Sequence, residues 1–431
     1  MKSVMKSIAL LPVAWPAVSH AQPATEPAPT AEPSAAPSDT TSASPVSQPE
    51  AVPPPPAVTP ADLKNNYRVI SEGQVYPLPM SALFADPAHH KLELDLEMFG
   101  TGAYTSSDGP AFSEFRLDRG EAGAIVGLGP YIGTELRLES IRSAENGGEL
   151  GVGGDSIVIR VKRAQVFGDY DITGAPAPLS VHGALGITPD PWITALETDY
   201  PLRPLSATAS ERVLGWPTSD LAALGRVSYG PIRASVSFGN GEGLDYPERN
   251  NGKTTTAVVE AVPLTTPDGH LRIAGVVRDG SIGPARDRDR RFGGAATVWT
   301  PLLSAGAELV KAYGIADRGD LEALALAGWA EVRPLNQLAL VGRLTTIGYA
   351  NGGGRASSFG GAVALEPWRD RARDGHQHCC IGTDTVGYAR LWLAVDHTTA
   401  SGAAMPIPGA DAGAATSLLL IVSTTAPFTA D

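Results

Sequence analysis

The residues with the clearest capacity for chemistry lie in "DGHQHCCIG", where two histidines and two adjacent cysteines fall close together: His376, His378, Cys379 and Cys380. Imidazole and thiolate are ligands of zinc and copper, so a soft-metal site is one interpretation. Strong zinc patterns separate their ligand pairs, and these four ligands are too close in sequence to surround one tetrahedral ion readily. A strained vicinal disulfide or two idle thiols are the favoured alternatives, and no cofactor is predicted.

Hydrolytic chemistry has weaker support in this sequence. His182, His270 and His397 are isolated in the chain, and there is no G-x-S-x-G nucleophile motif or Walker phosphate-binding pattern. A triad assembled from distant segments is the alternative that sequence leaves open. We therefore do not predict an enzyme.

A third set of candidates lies in the connection from 188 to about 210, together with the residue that follows it: Asp190, Glu197, Asp199, Arg203 and Arg212. Charged rings at a narrow point set the selectivity of a pore. If this segment folds into a channel, these five residues are predicted to form its constriction. The alternative is an external cover that contacts no solute.

The elements that must position these groups are predicted to be β-strands. From residue 91 onward, apolar and polar residues alternate with a period of two, which is typical of strands. In "KLELDLEMF" (91–99) the apolar residues fall on one face and the charged residues on the other, and "TELRLES" (134–140) repeats the pattern. About sixteen such segments lie between residues 91 and 425, the sixth at 211–229. The alanine-rich "EALALAGWAEV" (322–332) is predicted as a strand, with a helix as the alternative.

The connections between these segments alternate between short and long. "YGP" (229–231) and "RPLN" (333–336) are short, whereas "SAENGGELGVGGD" (143–155) and "NGEGLDYPERNNGK" (240–253) are long and polar. Short turns on one rim and long loops on the other are typical of outer-membrane barrels. A soluble β-sandwich also alternates, but many strand positions carry charges that a water-filled lumen would solvate. The predicted fold class is therefore all-β, an antiparallel transmembrane barrel of about sixteen strands.

The charged faces of the strands are predicted to line the lumen. The lumen candidates are Glu93, Asp95, Glu97, Arg137, Arg160, Lys162, Arg226, Arg233, Arg272, Arg278, Arg343 and Arg390. Because acidic and basic candidates oppose one another, the charge selectivity is left open. Six aromatic residues near strand ends are candidates for the membrane-interface belts: Tyr104, Tyr229, Trp299, Tyr313, Trp329 and Tyr349.

The N-terminal region predicts export. Residues 1–21 combine two lysines with an apolar run, which is typical of a secretory signal peptide, with a short membrane anchor as the alternative. Residues 22–61 are rich in Pro, Ala and Ser and are predicted to be a disordered linker. A short periplasmic lead-in (62–90) and the barrel (91–431) complete the predicted domains.

Net charge and cysteine content narrow the range of functions. The chain has a net charge of -13, and loss of Lys2 and Lys6 with the signal peptide makes it -15, so nucleic-acid binding is not predicted. Two cysteines provide no disulfide framework.

Residues 181–201 and 212–243 resemble the phosphate-selective porin O and P family. The resemblance rests on a glycine-containing strand, an inward loop that begins with proline, an Arg-x-x-Gly step and a hairpin that closes on Asn-Gly: Gly183, Gly186, Pro189, Pro191, Arg212, Gly215, Asn240 and Gly241. It implies a sixteen-stranded, often trimeric, outer-membrane channel. In that family rows of lumen Arg and Lys select phosphate, and this chain departs from the pattern by opposing them with carboxylates.

The predicted function is passive diffusion of small hydrophilic solutes or ions, including anions such as phosphate, across the outer membrane. The alternatives are a non-conducting structural or adhesive barrel and a soluble secreted β-sandwich protein. The predicted partners are outer-membrane lipid, the solutes, the barrel-assembly machinery and, from the resemblance, two further copies in a homotrimer.

Overall fold

A computed structural model describes residues 92–107, 111–128, 131–142, 157–172, 177–241, 243, 251–266, 268–282, 286–315, 318–335, 337–350, 354–366, 388–401 and 414–430. The predicted signal peptide, linker and lead-in lie outside these residues, as does the His-Cys cluster at 376–380. The side chains of residues 92–95 also lie outside the described set.

Sixteen antiparallel strands close into one barrel, each hydrogen-bonded to its neighbours in the chain, and the first strand pairs with the last. The strands are β1 (Leu92–Ser107), β2 (Phe112–Gly127), β3 (Ile132–Arg142), β4 (Ile157–Ile172), β5 (Leu179–Pro189), β6 (Ser219–Tyr229), β7 (Ile232–Gly239), β8 (Thr254–Thr266), β9 (Gly269–Ile282), β10 (Asp287–Trp299), β11 (Leu303–Ile315), β12 (Arg318–Leu335), β13 (Leu338–Tyr349), β14 (Arg355–Leu365), β15 (Tyr388–Ser401) and β16 (Ala414–Ala430). Closure pairs the backbone groups of every strand on both sides, which a sheet in lipid requires. The predicted fold class is confirmed.

Alternation decides which residues face outward. On β4 the apolar Ile157, Ile159 and Val161 are exposed, while Arg160 and Lys162 between them point into the barrel. The same division on β7 leaves Val236 and Phe238 exposed and Arg233 buried. The exterior is therefore an aliphatic surface suited to lipid, as predicted for an outer-membrane barrel. No helix among the described residues is long and apolar enough to cross a membrane.

The prediction for the sixth strand is wrong at its N-terminal end. Residues Ala209–Leu214 form a helix, and β6 begins only at Ser219. Two helices interrupt the barrel sequence between β5 and β6: α1 (Pro191–Glu197) and α2 (Ala209–Leu214). We call residues 190–218 the insertion.

The alanine-rich segment is a strand, β12, as predicted. Ala323, Ala325 and Ala327 are buried inside the barrel, and Leu324 and Leu326 are exposed outside it. Alanine on the inner face leaves room for α2, which packs against β11 and β12, while α1 packs against β7 and β8. The small alanine side chains thus leave the space that α2 occupies.

Candidate functional site: an insertion in the barrel lumen

The two helices of the insertion begin and end with local capping interactions. The Asp190 carboxylate accepts hydrogen bonds from the backbone N–H groups of Trp192 (2.8 Å) and Ile193 (3.3 Å), and Pro191 occupies the first helical position. In α2, Thr208 and Glu211 form a reciprocal capping box. Gly215 ends α2 at φ 59°, a left-handed conformation that favours glycine. These capping interactions stabilise two helices that are too short to be stable in isolation.

Apolar packing fixes the insertion to one wall of the lumen. Trp192, Leu202 and Leu214 are almost completely buried, and they belong to clusters that also contain inward side chains of the wall. On the wall these include Val258, Val276, Val310, Ala312, Ala323, Ile347, Ala339, Ala364 and Trp392. The barrel therefore has an apolar core on its inside, along β8 to β16, in addition to its apolar exterior.

Asp199 is the main polar anchor of the insertion. Its carboxylate accepts hydrogen bonds from His270 Nε2 (3.0 Å), Arg272 Nε (3.0 Å) and Thr297 Oγ1 (2.6 Å). Ser304 donates to its backbone carbonyl at 3.2 Å. Burial alone would raise the pKa of Asp199, but Arg272 and His270 outweigh it and lower the pKa to about 2. The carboxylate is therefore ionised wherever the protein is folded under ordinary conditions.

Arg203 joins both ends of the insertion. Its guanidinium forms ion pairs with Glu197, at the end of α1, and with Glu211, in α2, at 2.6 Å. Burial alone would lower the pKa of Arg203, but Glu197 and Glu211 raise it, and Glu121 on β2 contributes. Burial alone would raise the pKa of Glu211, but Arg203 lowers it, and Arg119 on β2 contributes. This part of the insertion thus faces the charged residues of β2.

The other charged residues of the insertion contact β15 and β9. Arg212 lies 3.6 Å from the carboxylate of Asp396 on β15 and donates to Ser358 Oγ at 3.2 Å. Asp190 lies 3.6 Å from Arg278 on β9, and burial raises the pKa of its carboxyl group. The structure thus places all five predicted constriction residues inside the barrel: Asp190, Glu197, Asp199, Arg203 and Arg212.

The lumen wall from β2 to β4 carries a layered ion network. Its carboxylates are Glu121, Glu135 and Glu139, and its cations are Arg119, Arg137, Arg160, Lys162 and Arg163. The carboxylates lie deepest, with Glu139 only 2% exposed, whereas Arg160 and Arg163 are each 24% exposed. Each carboxylate bridges two or more cations, so the groups of this network that water reaches are mainly guanidinium groups.

The remaining lumen candidates point inward where their side chains are described, and most pair with carboxylates. Arg233 and Arg272 both reach Glu260, Arg278 bonds Asp289 at 3.0 Å, and Arg343 bonds Asp396 at 2.8 Å. Glu97 also turns inward, Arg226 donates to Ser235 at 3.2 Å, and Arg390 contacts Glu331 at 3.4 Å. The side chains of Glu93 and Asp95 lie outside the described residues.

Sequence reasoning missed several buried lumen charges. Three of them, Glu331, Arg333 and Glu366, form a closed ring of alternating charge with the predicted lumen residue Arg390; the ring lies on β12, β15 and the end of β14. The ring crosses β13 at Ala339, which is small and buried. Arg291 and Asp289 on β10 pair at 2.7 Å beneath Trp216 of the insertion. Opposite charges two residues apart, as in "EVR" and "DRDRR", were the available signal.

Three of the six predicted interface aromatics are wrong because they face the lumen. Trp299 stacks on His270, Trp329 meets Tyr200 of the insertion edge-on at 5.4 Å, and Tyr349 packs against the inner apolar cluster. Tyr104, Tyr229 and Tyr313 are exposed on the outside. Proximity to a strand end predicts depth in the membrane and leaves the face of the sheet undetermined.

No protein-family model matches the chain, and no curated sequence matches it significantly. Among solved structures, OmpF of Salmonella typhi in complex with daunomycin is 11% identical, with a TM-score of 0.52 over 80% of this chain and 99% of that chain. The anion-selective porin from Comamonas acidovorans is 11% identical, with a TM-score of 0.48 over 79% and 100%. The outer-membrane channel DcaP of Acinetobacter baumannii is 11% identical, with a TM-score of 0.48 over 80% and 99%. At this identity the OmpF match shows the fold alone, and that fold is a porin-like outer-membrane β-barrel.

Proposed function

We propose that this barrel is a passive diffusion channel for small hydrophilic solutes and ions, with a modest preference for small anions. The observation that carries the proposal is the layering on β2 to β4, where guanidinium groups cover the carboxylates that bind them. A solute that moves along this wall meets cations first. Binding of this kind at a pore wall sets selectivity without stopping passage.

The path that we propose runs between the insertion and β2 to β5. On the opposite wall the side chains of Arg272 and Arg291 are 3% and 1% exposed, so a solute cannot reach these two guanidinium groups. The described charges on β1 to β4 are the five cations of the ion network against seven carboxylates, three in the network and four outside it: Glu97, Glu114, Asp169 and Asp171. The anion preference that we propose therefore depends on which groups of the network a solute meets first, and we expect it to be weak.

Phosphate belongs to the proposed class of solutes, and a homotrimer stays a prediction. A phosphate-specific channel would be expected to offer guanidinium groups that lack carboxylate partners, whereas the cations of this wall share theirs. We therefore propose chloride and phosphate as comparable substrates. Phosphate that blocked chloride current at low concentration would instead favour a phosphate-specific site.

Reversal potential in a salt gradient across a planar bilayer tests the proposal. We expect anions to be preferred, and we expect R160Q/R163Q to reduce the preference. Glu139 keeps Arg119 in that variant and Glu135 keeps Arg137, so folding should survive. R288Q is the matched control, because Arg288 is exposed on the outer face of β10. Cation preference in the wild-type protein would contradict the proposal.

A non-conducting barrel is the second candidate, because the insertion packs into the lumen through an apolar core. Single-channel recording distinguishes the two. A wild-type protein that does not conduct, and that conducts after deletion of residues 192–206, would show that the insertion is a plug. Unchanged conductance after that deletion would contradict a constriction formed by the insertion.

A further inference from the structure

One histidine of the described barrel lies in the lumen on the proposed path. His182 is on β5, where Val181, Gly183 and Leu185 face outward, and its imidazole packs against the Phe167 ring at 6.1 Å. Its side chain is partly exposed, in contrast to the Arg272 and Arg291 side chains of the opposite wall. Water and small ions can therefore reach it.

The charged groups that face His182 come from the two neighbouring strands. On β4 its direct partner is Asp169, whose carboxylate lies 2.8 Å from His182 Nδ1. On β6 its direct partner is Arg226, which also donates to Ser235. Asp171, opposite Ser180, adds a second carboxylate on the same face of β4. A proton on the imidazole makes this part of the lumen more positive by one unit charge.

We propose that His182 is a specificity-determining residue that makes the anion preference of the channel depend on pH. This inference rests on the proposed channel function. Imidazole is the ordinary side chain whose charge changes between pH 5 and 8. Asp169 accepts the hydrogen bond of the protonated ring, and the added charge attracts anions and repels cations in the path.

The other described histidines do not share this position. His270 is buried between Asp199 and Trp299, where it holds the insertion. His397 is on the outward face of β15, beside Phe359 and Thr416. His397 therefore provides a matched control, because it carries the same imidazole group on the outer face of the barrel.

Reversal potentials measured from about pH 8 to about pH 5 test the proposal. We expect the anion-to-cation permeability ratio of the wild-type channel to rise about tenfold, because one screened unit charge about 4 Å from a passing ion favours an anion and disfavours a cation by about threefold each. H182Q should lose this change, H397Q should keep it, and H182R should show the acidic ratio already at pH 8.

The outcomes separate this proposal from the channel proposal. A barrel that conducts, but whose permeability ratio changes equally with pH in the wild-type protein and H182Q, overturns the role of His182 alone. Absence of conductance in the wild-type protein overturns the channel proposal, and the role of His182 with it. Circular dichroism of each variant verifies that the barrel is folded, and H182R provides a result that does not depend on losing a function.

Discussion

Replacement of Asp199 with alanine should detach the insertion from the β9 to β11 wall. The substitution removes hydrogen bonds from His270, Arg272 and Thr297 to a carboxylate that is 2% exposed. Arg272 keeps its second partner, Glu260, at 3.0 Å, so one buried cation loses half of its pairing. The apolar side chains of the insertion keep their contacts, and we expect local opening with the barrel intact.

The size of the effect follows from the burial of this cluster. Removing one partner of a buried ion pair typically costs about 3–5 kcal/mol, because the other partner is left uncompensated. The pKa of Asp199 falls from 3.8 to about 2 on folding. This fall means that folding stabilises the ionised form over the protonated form by about 2 kcal/mol. The second value is smaller because a protonated carboxyl group still fills the site and still accepts hydrogen bonds, whereas alanine does neither.

Hydrogen–deuterium exchange of residues 190–218 measures this opening. A cost of 3 kcal/mol or more corresponds to exchange that is faster by about two orders of magnitude. D279A is the control, since Asp279 forms an ion pair on the outer face at 52% exposure, where a pair contributes about 0–1 kcal/mol. Equal exchange in the insertion of D199A and D279A would refute the view that Asp199 anchors the insertion.

Two further predictions concern the same segment. L214A should lower the free energy of unfolding by about 2–5 kcal/mol, because Leu214 is almost fully buried inside the barrel. L344A, on the outer face, is the control. Equal thermal stability of the two variants would contradict the presence of an apolar core inside the barrel. The lowered pKa of Asp199 stabilises the folded state above the unfolded value near 4, and this contribution is lost as the pH falls toward 2. The protection factors of the insertion, which are corrected for the intrinsic pH dependence of amide exchange, should therefore fall below about pH 4, and D199N should lack that fall.

The barrel could be predicted from sequence because lipid on one side and a polar lumen on the other impose a period of two. That pattern determines the face of each residue but not its partner across the sheet, which depends on register. The alternation predicts that Arg160 lies on the inner face of β4, as it does, but it does not predict the pairing of Arg160 with Glu139. The ring around Glu331 and Arg333 was missed for the same reason.

The insertion was harder to predict because a short helix resembles a strand. Glu211, Arg212, Val213 and Leu214 mix charged and apolar residues within less than two helical turns, too few to show a helical period. The local signal was the Thr208-Ala-Ser-Glu211 pattern, which is a capping box, followed by Gly215 at the C-terminal end. Capping residues identify such a helix where periodicity cannot.

The inner apolar core changes how the charges of the lumen relate to conduction. A sum over every inward Arg, Lys, Asp and Glu treats the lumen as one open tube. Along β8 to β16, however, the insertion covers the wall, and the charges there, such as Arg291 and Glu331, are buried in pairs that no solute reaches. On the path that we propose, the groups from β2 to β5 would select solutes. The acidic net charge of the chain is therefore compatible with the proposed anion preference, because that preference depends on the charged groups that border the path and not on the sum over the chain.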